Sequence, residues 1–271
     1  MQTNGEHEQL MDAEELERLL ALSIRAAQTP AGLLLDYFTD RTLHVERKDD
    51  GSPVSIADCE AETAIRNVLQ GDPVAAGFDV LGEELGEKGS KTRYRWLIDP
   101  IDGTRSFVNR ISLFGTIVAL EDREAAKALI GVIHLPMLNM TYSAARGLGS
   151  FCNGTAVSVA GEAALETSII ATGDIAQFTS AGCEGMFRQL AGVCPYLRAY
   201  TDCYGHTLVI KGSVGAMVDP ALNPWDAMAT QVLVEEAGGT FVTRPSRVEH
   251  KIDVLFGSPQ LVERLVALLH F

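Results

Sequence analysis

Trp96-Leu97-Ile98-Asp99-Pro100-Ile101-Asp102-Gly103-Thr104-Arg105-Ser106-Phe107 runs from three apolar residues into two carboxylates three positions apart, on a turn of Pro, Gly and Thr. Short apolar runs bounded by turn residues are the pattern of buried strands. Asp99 and Asp102 are therefore expected at the exposed end of a rigid strand, where two hard oxygen ligands suit a hard divalent cation such as Mg²⁺. A bare Asp-x-x-Asp equally describes a solvated turn or a helix cap. The cation reading needs partners elsewhere in the chain.

Three further segments place acids at the boundaries of apolar elements. They are Asp49 and Asp58 around Gly51-Ser52-Pro53, Glu83 and Glu84 after Phe78–Leu81, and Asp226 behind Asn223-Pro224-Trp225. Each alone has a plain explanation as a turn, a polar loop or a helix start. Their common placement matters because element ends converge on one edge of a sheet. Phosphate monoester hydrolysis needs cations to neutralise the equatorial oxygens and to lower the pKa of an attacking water. Carboxylates from several segments, with a carbonyl such as that of Ile101, would supply the ligands. Gly103 and Thr104 would offer backbone N–H groups to phosphate if a helix begins there. The Thr104 hydroxyl can donate to a carboxylate and accept from water, which suits it to orienting a nucleophile.

Working outward, Leu16, Leu19, Leu20, Ser23, Ile24 and Ala27 recur at helical spacing behind Glu14, Glu15 and Glu17, and Pro30 kinks or ends that helix before Leu33–Phe38. Leu43 and Val45 alternate as in a half-buried strand, and Ser55 caps a helix with Ala61, Ile65, Val68 and Leu69 inward. Strands are expected over Phe78–Leu81, Phe114–Leu120, Gly131–Leu135, Met140–Ala144, Ser168–Thr172, Thr240–Thr243 and Asp253–Gly257. Pro136–Asn139 reads as a hairpin turn, Gly147 to Gly154 as another turn, and Phe178–Leu190 as one polar helix. Asn223-Pro224-Trp225-Asp226 is a helix start that Gly238-Gly239 ends, and Ser258-Pro259 opens a C-terminal helix. Strands and helices are mixed throughout, so the fold class is α/β (α+β layered).

The 271 residues, 46% apolar and 21% charged, suit two modest domains or one large layered one. We expect an N-terminal α+β half, 1–150, with most candidate ligands, and a C-terminal α/β half, 151–271, with Asp226 and substrate-contacting residues. A net charge of −14 argues against a nucleic acid partner. No apolar run approaches the ~20 residues that span a bilayer, so no membrane partner is expected. Five cysteines without Cys-x-x-Cys spacing, and no basic region leading into an apolar core, point to reduced thiols in the cytoplasm. An acidic site repels phosphate until cations intervene, so such a phosphatase would be strictly metal-dependent.

Gly82-Glu83-Glu84, Asp99-Pro100-Ile101-Asp102-Gly103-Thr104 and Trp225-Asp226 leading to Glu236-Ala237-Gly238-Gly239 stand in an order that resembles the inositol monophosphatase family of Mg²⁺-dependent, lithium-sensitive phosphatases. Lys48 through Ser52-Pro53-Val54 to Ala57-Asp58 is similar to that family's N-terminal signature, and the likeness extends from about residue 12 to 269. The resemblance implies a five-layered α-β-α-β-α sandwich, a homodimer, and two or three Mg²⁺ per site with Mn²⁺ as a substitute. It implies metal ligation by Glu83, Asp99, the Ile101 carbonyl, Asp102 and Asp226. Asp58 and Thr104, with Glu83, are implied to activate the water, and Gly103 and Thr104 to contact phosphate. Glu84 and Lys48 are implied to stand behind these groups.

Inositol enzymes usually read Asp-Gly-Thr-Thr-Asn-Phe, where this chain has Asp102-Gly103-Thr104-Arg105-Ser106-Phe107. That segment, with Thr201-Asp202-Cys203-Tyr204-Gly205-His206 and Ala216-Met217-Val218-Asp219-Pro220, is more similar to the histidinol-phosphatase branch. It implies L-histidinol phosphate as the small phosphomonoester substrate, contacted by Arg105, Asp202, Asp219 and Asp226, with Asp202 pairing an ammonium. Inositol 1-phosphate, 3′-phosphoadenosine 5′-phosphate and sugar phosphates are the alternative substrates, and a metal- or phosphate-binding regulator is the non-enzyme alternative. His206 is expected only to pack a helix or meet solvent. His44, His134 and His250 have no partner at ligand spacing, and Trp96 and Trp225 are expected as core anchors.

Overall fold

A computed structural model describes residues 11–40, 45–47, 53–89 and 91–271, so the expectations for Lys48, Asp49 and Leu43 fall outside the described residues. Helix α1 (Ala13–Gln28) starts at Asp12, whose carboxylate accepts the Glu15 N–H at 2.9 Å. Pro30 ends it, and α2 (Ala31–Thr39) restarts at once. A small ribbon, β1 (Val45–Arg47) and β2 (Pro53–Ser55), leads into α3 (Ile56–Gln70), where Ser55 and Asp58 form a capping box. There follow β3 (Asp79–Gly82), β4 (Gly86–Lys88), β5 (Tyr94–Asp102), the short α4 (Thr104–Val108), β6 (Gly115–Asp122), β7 (Lys127–Leu135), β8 (Met140–Ala145), β9 (Gly149–Cys152) and β10 (Thr155–Ala156). These strands form an eight-stranded sheet in the order β10-β9-β8-β7-β6-β5-β3-β4.

The chain continues through β11 (Ile169–Thr172), α5 (Ile175–Ser180), α6 (Glu184–Val193), β12 (Tyr196–Ala199), α7 (Asp202–Ile210), β13 (Ala216–Leu222), α8 (Pro224–Glu236), β14 (Thr240–Pro245), β15 (Ile252–Gly257) and α9 (Pro259–Leu269). Its strands form a second sheet of five, ordered β12-β11-β13-β15-β14.

Three apolar clusters define the stacking. Leu16, Leu19 and Leu22 of α1 and Ile65 and Leu69 of α3 pack on Trp96, Ile98, Val118 and Val132 of the large sheet. On its other face, Ala229, Val232 and Leu233 of α8 and Val209 of α7 meet Leu97, Ile117 and Ile133, and also Met217 and Phe256 of the small sheet. Phe178 of α5, Leu190 of α6 and Leu265 of α9 cover the far face of that small sheet through Ile170, Val218 and Leu255. The result is helix, sheet, helix, sheet, helix: the five-layered sandwich expected above.

Three expectations are corrected. The span Phe178–Leu190 is two helices, because Gly182 takes a left-handed φ of 62° and ends α5. The Cys183 N–H reaches back to the Phe178 carbonyl at 2.6 Å and the Gly182 N–H to Thr179 at 3.0 Å, a Schellman stop that leaves α6 to begin afresh. The buried stripe of α1 is Leu16, Leu19, Leu22, Ser23, Ala26 and Ala27, so Leu20 and Ile24 flank the inward face. The glycine-marked stretch 147–154 is more than a turn, since it folds into β9 and the start of its hairpin with β10.

Candidate active site

Asp99 and Asp102 would face opposite sides of an unbroken strand, since side chains alternate. The β5–β6 register prevents this: Asp99 pairs with Ile117 and Asp102 with Gly115, so Pro100 and Ile101 lie opposite Thr116 alone. This bulge suits Pro100, which has no N–H to offer the ladder, and the Thr116 hydroxyl donates to the Pro100 carbonyl at 2.9 Å. Ile101 turns into a cluster with Leu34, Phe38, Phe107 and Phe114. Both acids are thereby aimed at the layer of α7 and α8.

Glu83 arrives from the end of β3, the parallel neighbour of β5, and its N–H donates to the Ile98 carbonyl at 3.1 Å. Asp226 stands in the first turn of α8, where its Oδ2 accepts the Asn223 N–H at 2.8 Å. Glu83, Asp99 and Asp226 each bring a carboxylate oxygen within 4.8 Å of the others. Three carboxylate oxygens so close, all on buried or half-buried side chains, are the donor set of a hard divalent cation and repel each other without one. Burial, then Glu83, pushes Asp226 up to about 7. Burial also drives Asp99 well above the usual carboxylate range, with Glu83, Asp102, Asp226 and Asp58 adding to it.

Asp102 lies outside that triad and turns toward α7, where its Oδ2 accepts the Cys203 N–H. Gly115 makes the approach possible, because a Cβ there would stand 2.7 Å from Cys203 Sγ. Gly103 adopts a left-handed φ of 85° and starts α4, and the Thr104 hydroxyl donates to the Ile101 carbonyl at 3.0 Å. Asp58 Oδ2 accepts the Ser55 N–H and hydroxyl at 2.8 and 2.7 Å. Asp58 is buried and close enough to Asp99 to raise it.

A pair that sequence reading missed grips the Glu83 turn. Glu62 is fully buried on α3, one turn beyond Asp58, and holds Arg66 through Oε1 at 2.7 Å. Its Oε2 accepts the N–H groups of Glu84 and Leu85 at 2.8 and 3.3 Å, and Arg66 reaches the Gly86 carbonyl at 2.5 Å. Gly82 is obligatory beside it, since a Cβ would sit 2.0 Å from Glu62 Oε1. Glu84 thus contributes a backbone donor to this arrangement. The signal was available: Asp58, Glu62, Ile65 and Leu69 share the inward face at helical spacing, which made Glu62 an acid in an apolar stripe.

A second acidic group borders Gly103. A Cβ on Gly103 would lie 3.2 Å from Asp202 Oδ2, and Asp202 itself takes a left-handed φ of 60° and accepts the Thr201 hydroxyl at 2.8 Å. Asp219 is buried on β13, and Asp174 caps α5 and pairs with the exposed Arg105 at 3.0 Å. Burial raises Asp202, and Asp219 and Asp174 raise it further while His206 opposes them. His206 is corrected here: it is buried, with Nδ1 2.7 Å from Thr230 Oγ1 and Nε2 3.2 Å from Asp219 Oδ2.

The raised carboxylates fix a pH dependence. An acid whose folded value exceeds its unfolded value makes the native state the better proton binder, so its stabilisation is present below about pH 4 and lost as pH rises through the folded value. For Asp226 that window closes near pH 7. Mg²⁺ should reverse the loss, so the Tm gap between Mg²⁺-loaded and chelated protein should widen from pH 5 to pH 8. At a hundredfold excess over Kd it should reach about 5 °C or more. A gap that stays constant across this range would remove the three-acid cluster as the cation site.

The sequence model of the inositol monophosphatase family matches residues 15–271. A histidinol-phosphatase from Chlorobaculum parvum is 39% identical over 220 residues, covering 81% of this chain and 83% of its own. An inositol-1-monophosphatase from Mesorhizobium japonicum is 31% identical, with 82% and 84% covered. The crystal structure of the extragenic suppressor protein suhB from Bartonella henselae superposes with a TM-score of 0.83 at 28% identity, covering 93% of this chain and 98% of that one.

Proposed function

Because the chain belongs to the inositol monophosphatase family, we propose that this phosphomonoesterase hydrolyses L-histidinol phosphate to L-histidinol and phosphate in histidine biosynthesis. The observation that carries the substrate is the second acidic group. Asp202 borders Gly103, Asp219 and Asp174 lie close enough to raise it, and His206 and Arg105 are the basic groups that pair with or oppose them, a setting suited to an ammonium. Inositol offers hydroxyls only. The likeness to a named histidinol-phosphatase supports the same reading.

Glu83, Asp99 and Asp226, with Asp102 and the Ile101 carbonyl beside them, would hold Mg²⁺, two or three per site, with Mn²⁺ as a substitute. Bound there, the cation would neutralise phosphate charge and lower the pKa of a water. Gly103 and Thr104 present backbone donors to the phosphate, and the Thr104 hydroxyl and Asp58 orient the attacking water. Asp226 faces the substrate alcohol and Asp219 belongs to the group that meets the amine, while Arg105, drawn by Asp174, lies at the rim. Residues 1–150 would supply most ligands, and 151–271 Asp226 and the substrate contacts. All five cysteines lie among the described residues and form no disulfide, which fits the cytoplasm. The family resemblance supports a homodimer.

The test is kcat/KM for histidinol phosphate, inositol 1-phosphate and 3′-phosphoadenosine 5′-phosphate, side by side with Mg²⁺ and with chelator. Histidinol phosphate should lead, and chelation should abolish turnover on all three. Asp202→Ala should raise KM for histidinol phosphate by about tenfold or more, as expected when a buried partner of a charged group is lost, with a smaller effect on an aryl phosphate. Equal losses on both would take Asp202 out of amine recognition, and phosphate release that survives chelation would end the metal reading.

A further inference from the structure

A cavity of about 570 Å³ lies outside the catalytic groups, in the helical layer that covers the far face of the small sheet. The start of α6, the end of α9 and the β14–β15 connection form its walls, and none of its lining residues belongs to the sites described above. Arg188, Arg244 and Arg247 line it together with Gly185, Met186 and Leu269. Three guanidinium groups at one hollow stand out in a chain of net charge −14. Cavities of this size take small organic molecules.

Arg244 is the braced member of the three. Its Nε donates to Asp253 Oδ2 at 3.1 Å, and its guanidinium lies over the Phe271 ring, 4.6 Å from the centroid. Asp253 is 2% exposed and its Oδ1 accepts the Ala221 N–H at 3.0 Å, so the carboxylate that orients Arg244 is itself fixed to β13. Arg247 rests on the link between α5 and α6, where its Nη1 donates to the Gly182 carbonyl at 3.0 Å. Burial pushes the Cys183 thiol up and Asp253 adds to it, while Arg244 and Arg247 both oppose them, which brings two positive charges to one wall. Asp253 compensates one of the three charges. Arg188 and Arg247 are exposed and form no ion pair among the described residues. A guanidinium is a planar fork of donors that matches phosphate oxygens in pairs, and Met186 and Leu269 set an apolar patch beside these forks.

We propose that this cavity is a second ligand site, separate from the catalytic one, for an organic phosphate: the arginines take the dianion, and Met186 and Leu269 take the apolar body of the molecule. The site needs no cation, because its charges already oppose those of the ligand. The catalytic carboxylates are the reverse case, since they repel phosphate until cations intervene. Chelation therefore separates the two sites.

The experiment is calorimetry of the full chain with phenylphosphonate, whose C–P bond is not hydrolysed, in chelator and in Mg²⁺. Chelated wild type should bind one equivalent. Inorganic phosphate should bind at least about tenfold more weakly, since it buries no ring. Arg188→Glu and Arg247→Glu should each weaken phenylphosphonate by about tenfold or more, as a like charge facing the ligand does, and leave turnover with Mg²⁺ unchanged. Gly185→Leu, at a position where a Cβ meets nothing within 4 Å, should keep the fold and weaken phenylphosphonate more than inorganic phosphate. Chelated wild type that does not bind, or an affinity that both arginine variants leave untouched, overturns the site. Equal affinity for phosphate and phenylphosphonate overturns its organic ligand.

Discussion

Asp99→Asn should lower kcat by at least about 100-fold, the scale of losing one preorganised electrostatic group in an active site. The substitution keeps the shape of a side chain that is 2% exposed. Its remaining oxygen can still accept the Ile101 N–H, which Asp99 Oδ1 receives at 3.0 Å, so the bulge should persist. What goes is one negative charge from a triad whose oxygens lie within 4.8 Å of one another. Mg²⁺ affinity, measured by calorimetry, should fall with turnover. The chelated variant, relieved of like-charge repulsion, should melt at or above the chelated wild type. Activity down and metal-free stability up is a pairing that simple misfolding does not produce. Near-wild-type turnover at saturating Mg²⁺ would sink Asp99 as a ligand.

Glu62→Ala carries the largest expected cost in stability, about 3–5 kcal/mol, because removing one partner of a buried ion pair leaves the other charge uncompensated. Arg66 is 7% exposed and would lose its Oε1 contact, and the Glu84 and Leu85 N–H groups would lose their acceptor. The effect in heat should be a Tm drop of the order of 10 °C, given about 2–4 °C per kcal/mol for a chain this size. Adding Arg66→Met should recover part of the loss, since a buried pair replaced whole costs far less than one broken in half. Urea unfolding of the single and double variants reads both numbers. Its reach extends to the metal, because the Glu83 turn hangs from Glu62, so Mg²⁺ affinity should weaken in any variant that remains folded. A single variant within about 1 kcal/mol of wild type would show that the turn stands without this pair.

The sequence was most legible where local rules and global fold agree. Asn223-Pro224 marks the start of α8 because cap and Pro preferences are local, and the carboxylate of Asp226 closes the capping box in the structure. The layered α/β class came through the mixture of strand and helix patterns, and the five-layered sandwich through the order of three motifs. Reading failed where side-chain direction depends on tertiary pairing. Apolar spacing on α3 marks its inward face, but the partners of Glu62, an acid in that stripe, lie on a distant turn. His206 looked like packing because Thr230 and Asp219, its two partners, are 24 and 13 residues away. Asp202 gave no sign of its left-handed backbone, which non-glycine residues seldom adopt and which tertiary contacts must hold. That such misses gather around one site is expected, since functional sites are where local preference yields.

The extra residue in β5 turns the spacing of its two acids into a question of parity. On a pleated strand, only residues an even number apart look the same way, and Asp99 and Asp102 are an odd number apart. One unpaired position between them, opposite Thr116, makes the odd count behave as even. Amino-acid identity at Pro100 and Ile101 is therefore open to change within the limits of packing, while chain length there is not. Losing or gaining one residue would send Asp102 to the α3 side of the sheet and everything after it into the wrong register. The segment should thus vary across lineages by replacement and never by insertion or deletion.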